Sequence, residues 1–110
     1  MALNNIWVFA QASNGAPTSA TLELLTKARS LSSNVVAIIG GDGASAGVLG
    51  EYGATKVYAI NHGSTLPGVA IASALKSVID GGETPDLIMF PQNYEGRDVM
   101  SRLSVKLDKT

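Results

Sequence analysis

The sequence predicts an α/β domain in which a parallel sheet lies between two layers of helices. Four short apolar runs do not alternate with polar residues, which is typical of strands covered on both faces. Segments with helical spacing of apolar residues separate these runs, and glycine, asparagine and proline bound them. An alternating order of strand and helix with right-handed crossovers gives a three-layer parallel sheet.

The four strands are expected at residues 6–10, 35–39, 57–60 and 87–90, where valine, isoleucine and other apolar residues follow one another. If the first strand is central, either 57–60 or 87–90 forms an edge of the sheet. An apolar edge that lacks a charge or a covering element favours pairing with another strand. We therefore expect either a domain truncated after its fourth helix or one that associates through this edge.

Four helices are expected after these strands. Pro17 suits the first turn of the first helix, and the second is expected at residues 45–52 with Gly53 as its stop. The third begins near Pro67 and the fourth near Glu95. Their spacing gives the positions predicted to be buried, which are Ala20, Leu24, Ala28 and Leu31 on the first, Ile71, Leu75, Val78 and Ile79 on the third, and Val99, Met100, Leu103 and Leu107 on the fourth.

Composition limits the class of protein. The 110 residues suit one domain, and a net charge of -1 argues against a nucleic-acid-binding protein. The chain has no cysteine and one histidine, which argues against a metal site. No apolar run reaches the roughly 18 residues that span a bilayer, and the first residues do not resemble a signal peptide. We expect a cytoplasmic protein without membrane insertion.

Candidate ligand-binding residues follow the first and fourth strands. In an open parallel sheet, ligands bind beyond the carboxyl ends of the strands, where the strand order reverses. With a central first strand, this crevice lies between residues 11–15 and 91–97, and Asn14, Gly96 and Arg97 are its candidate cofactor-binding residues. Ordinary turn geometry also explains these residue types, and Arg97 could instead pair with a neighbouring carboxylate.

A glycine-rich segment follows the second strand. Residues 41–46 fit the pattern G-x-G-x-x-A, so Gly41 and Gly43 are candidates for close approach to a pyrophosphate at a helix N-terminus. Three observations argue against this fingerprint. The segment does not follow the first strand, and the carboxylate expected about 20 residues further on to bind the ribose is missing. Asp42 also places a negative charge where a phosphate would lie. A tight strand-to-helix turn explains the glycines without a ligand.

His62 is the candidate for acid–base chemistry, because it alone titrates near neutral pH and follows a strand end. No nearby serine or carboxylate forms a recognisable triad with it, and a solvated loop histidine is the simpler interpretation. The sequence also lacks a P-loop, a nucleophile elbow and a zinc signature. We therefore predict no catalytic residue.

Five segments, in this order, resemble one protein family. They are PTSATLELLTKARSL at 17–31, VVAIIGG at 35–41, YGATKVY at 52–58, PDLI at 85–88 and GRDVMSRLSVKL at 96–107. Together they resemble the amino-terminal domain of the electron transfer flavoprotein alpha subunit over nearly the whole chain. The sequence departs from the family in two places. One is the end of the first strand, where the family often carries a glutamate, and the other is the loop at 92–95.

The resemblance implies a Rossmann-like fold of the adenine nucleotide alpha hydrolase-like type. It also implies a heterodimer with a beta subunit that carries one FAD and passes electrons from flavin dehydrogenases to an acceptor. The FAD would be held chiefly by a carboxyl-terminal domain that residues 1–110 do not include. This domain would act as a scaffold on the beta subunit, and no flavin-contacting residue is carried over.

Two other classes of function remain open from the residues themselves. One is a free-standing module that binds an adenine nucleotide on the same fold. The other is a small enzyme that uses His62. Micromolar binding of AMP or ATP would favour the first, and loss of a measured activity in His62→Ala would be needed for the second.

Overall fold

A computed structural model describes residues 4–13, 16–40, 46–60, 67–82 and 85–107 of the chain. Within these residues strands and helices alternate, apart from a small hairpin near the start. In chain order the elements are β1 (Ile6–Ala10), β2 (Ala12–Ser13), β3 (Ala16–Pro17), α1 (Ser19–Leu31), β4 (Val35–Gly40), α2 (Ala46–Glu51), β5 (Lys56–Ile60), α3 (Pro67–Asp80), β6 (Leu87–Met89) and α4 (Tyr94–Leu107).

The main sheet has the strand order β5-β4-β1-β6, and all of its pairs are parallel. Ile6 lies beside Val35 on one side and Leu87 on the other, so β1 is central. The parallel sheet between helices confirms the predicted fold class. Residues 57–60 and 87–90 were both candidates for an edge, and β5 and β6 are indeed the two edges of this sheet.

The two edges differ in their side chains. On β5, the Lys56 ammonium lies 4.6 Å from the centre of the Tyr58 ring, and a lysine on an edge strand disfavours pairing with another chain. The three residues of β6 are all apolar. If the domain associates through an edge, this difference favours the β6 edge, and both association and truncation after the fourth helix stay predictions.

Each face of the sheet has its own apolar core, because successive side chains of a strand point to opposite faces. Ile6 and Val8 of β1 pack with Leu25 of α1 on one face. Trp7 and Phe9 pack on the other face, with residues of α3 and α4. All five residues of β1 are buried, as expected for a central strand covered on both sides.

The buried face of α1 agrees with the predicted one only in part. Ala28 is buried as predicted and Leu24 is partly buried against the same core, whereas Leu31 is 36% exposed. The buried residues of this helix are Thr21, Leu25 and Ala28. Thr21 is fully buried, and hydrogen bonds with the backbone of Gln11 satisfy its hydroxyl group. A polar residue therefore occupies an inward position, which a search for apolar spacing alone does not find.

On α3 and α4, the predicted positions Ile71, Leu75, Val99 and Leu103 are buried. Val78, Ile79 and Leu107 are partly buried against the same core. Met100 was predicted to be buried and is 44% exposed, because it lies at the rim of an apolar cavity beside the short edge strand β6.

The helix ends follow local chemistry. Pro17 lies in β3, not in the first turn of α1, and the side chain of Thr18 caps this helix by accepting a hydrogen bond from the Thr21 N–H. Gly53 ends α2 as predicted, with a φ of 114° that favours glycine. Among the described helices, none has the length and apolar character required to cross a bilayer.

Candidate functional site

The loops that follow β1 and β6 meet at the carboxyl ends of these two strands. The side-chain amide of Asn93 donates a hydrogen bond to Gln11 Oε1 at 2.6 Å, and Gln11 Nε2 lies 3.5 Å from Asn93 Oδ1. The central strand therefore places the two predicted loops next to each other, as the expected strand order requires. A direct contact between the amide side chains of Gln11 and Asn93 joins the two loops.

Asn93 also fixes the start of α4. Its side-chain oxygen accepts a hydrogen bond from the Gly96 N–H at 2.9 Å, and its backbone carbonyl accepts one from the Arg97 N–H at 3.0 Å. Two backbone N–H groups at the start of α4 are thus bonded within the protein. An anion at this helix end would have to compete with Asn93 for these groups.

The end of β1 is held by a second set of hydrogen bonds. The Gln11 N–H donates to Thr21 Oγ1 at 2.8 Å, and the Thr21 hydroxyl lies 3.2 Å from the Gln11 carbonyl oxygen. The Thr18 N–H donates to the same carbonyl at 2.9 Å, and Thr18 Oγ1 lies 2.9 Å from Thr21 Oγ1. The N–H group and the carbonyl group of Gln11 are therefore both hydrogen-bonded within the protein.

Gly96 has a packing role in this arrangement. It is buried, and a Cβ atom at this position would overlap the carbonyl oxygen of Pro91. The close approach of α4 to the preceding loop therefore explains the glycine without a ligand. Whether Gly96 also contacts a cofactor stays a prediction.

Arg97 is exposed on α4. Asp98 accepts a hydrogen bond from Arg102 Nε at 2.9 Å, and within the described part of the chain neither Glu95 nor Asp98 pairs with Arg97. Together with Tyr94, Asp98 and Ser101, Arg97 lines a shallow cavity of about 380 Å³. Within the described residues, the guanidinium group of Arg97 thus has no ion-pair partner, and a ligand-binding role for it stays a prediction.

Four other candidates, Asn14, Gly41, Gly43 and His62, lie outside the described residues. A ligand-binding role for the first three and a catalytic role for His62 stay predictions. Among the residues that the structure describes, no three histidine or acidic side chains are close enough to hold a metal ion.

The amide pair is a feature that sequence analysis located only in part. Gln11 and Asn93 were placed in the correct loops, but neither was singled out, because glutamine and asparagine are common in turns. Thr21 was missed for the reason given above for α1. One signal in the sequence could have identified the pair. Each amide residue follows a strand, and the fold places these two strands side by side.

Sheet order, layer arrangement and the position of the crevice define a doubly wound α/β domain. The family model described as "Electron transfer flavoprotein domain" matches residues 6–109. The chain therefore belongs to the electron transfer flavoprotein family, which confirms the predicted resemblance.

A curated relative is similar over most of the chain. It is the electron transfer flavoprotein subunit alpha of Syntrophomonas wolfei subsp. wolfei (strain DSM 2245B / Goettingen), which is 29% identical over 106 residues. The match covers 92% of this chain and 33% of the relative. The chain thus spans about a third of the length of that alpha subunit.

Proposed function

We propose that this chain is the amino-terminal domain of an electron transfer flavoprotein alpha subunit. It acts as a scaffold that packs on a beta subunit, and it carries out no chemistry itself. The family match over residues 6–109 and the similarity to an alpha subunit support this assignment. In the cytoplasm, the complete heterodimer would pass electrons from flavin dehydrogenases to an acceptor.

The amide pair at the crevice is the observation that carries the scaffold role. Gln11 and Asn93 bond to each other where a doubly wound domain ordinarily receives its ligand. A nucleotide at this place would have to break that contact and replace its hydrogen bonds. FAD would accordingly be bound by parts of the alpha subunit outside this domain, together with the beta subunit.

Binding to the beta subunit tests the proposal. The purified chain would be mixed with a beta subunit of the same family and followed by sedimentation velocity, with serum albumin as the control partner. We expect a one-to-one complex with a Kd of about 1 μM or lower, the range of specific protein complexes. Absence of a complex at about 100 μM of each protein would contradict the proposal.

A free-standing adenine-nucleotide-binding module is the second candidate. Arg97 at the crevice end of α4 favours it, since its guanidinium group has no ion-pair partner within the described residues and arginine binds phosphate well. The pattern at residues 41–46 supports it at the level of sequence only. Saturable binding of AMP or ATP to the isolated chain distinguishes this module from the scaffold.

A further inference from the structure

We draw no further inference here: the strongest candidate, the apolar cavity of about 490 Å³ that Ile88, Phe90 and Leu107 help to line beside the edge strand β6, carries none because nothing in the described residues shows what covers it.

Discussion

Gly53 shows how a single backbone conformation ends a helix. Its φ of 114° is one that other residues rarely adopt, and a Cβ atom there would also overlap the Arg29 side chain. We expect Gly53→Ala to lower the free energy of unfolding by about 1–3 kcal/mol. Gly50→Ala is the matched control. It lies inside α2 with no atom near the added methyl group, so it should raise stability by about 0.5–1 kcal/mol.

Urea denaturation of both glycine variants measures the difference. The two changes add the same methyl group three residues apart, so only their backbone conformations and surroundings distinguish them. Equal stability of the two variants would contradict the assigned conformation of Gly53.

Thr21 joins the end of β1 to α1. Replacing it by valine keeps the shape of the side chain and removes the acceptor of the Gln11 N–H, a partly buried bond of 2.8 Å. The N–H group would be left without a partner, and we expect a loss of about 1–3 kcal/mol in the free energy of unfolding. Thr26→Val is the control, because Thr26 is exposed and should change stability by less than about 0.5 kcal/mol.

Thermal unfolding of both threonine variants gives this comparison. A Thr21→Val variant as stable as the wild type would show that the hydroxyl contacts at the end of β1 carry no net stabilisation.

At the scale of the element, the orientation of α1 can be tested directly. Leu25 is fully buried between α1 and β1, whereas Leu31 on the predicted face is 36% exposed. Leu25→Ala should cost about 2–5 kcal/mol, and Leu31→Ala should cost less than about 1 kcal/mol. Chemical denaturation checks the ranking, and a larger loss for Leu31→Ala would restore the face that apolar spacing alone predicts.

The elements also show where sequence patterns succeed and fail. The β1 strand was predicted with the bounds that the structure has, because a short run of five successive apolar residues is typical of a strand covered on both faces. The prediction for α1 missed Thr21 because it is a buried polar residue. Its hydroxyl group is hydrogen-bonded to the backbone of Gln11, ten residues earlier in the chain, and such a partner leaves no mark in the helical spacing of apolar residues.

For the whole molecule, the position of the crevice could be predicted and its state could not. Once the first strand is taken as central, the rules for parallel sheets bring the loops after β1 and β6 together. They do not determine whether those loops bind a ligand or are hydrogen-bonded to each other. That depends on the length and rotamer of Gln11 and Asn93, whose amide groups meet at 2.6 Å, and no pattern in the sequence encodes this distance.

The central claim is that this domain is a scaffold whose crevice takes no nucleotide, and calorimetric titration of AMP into the purified chain tests it most directly. We predict no saturable heat up to about 1 mM AMP, since a ligand would have to break the bonds between Gln11 and Asn93. Saturable binding with a Kd of about 10 μM or lower would contradict the scaffold role and favour a nucleotide-binding module.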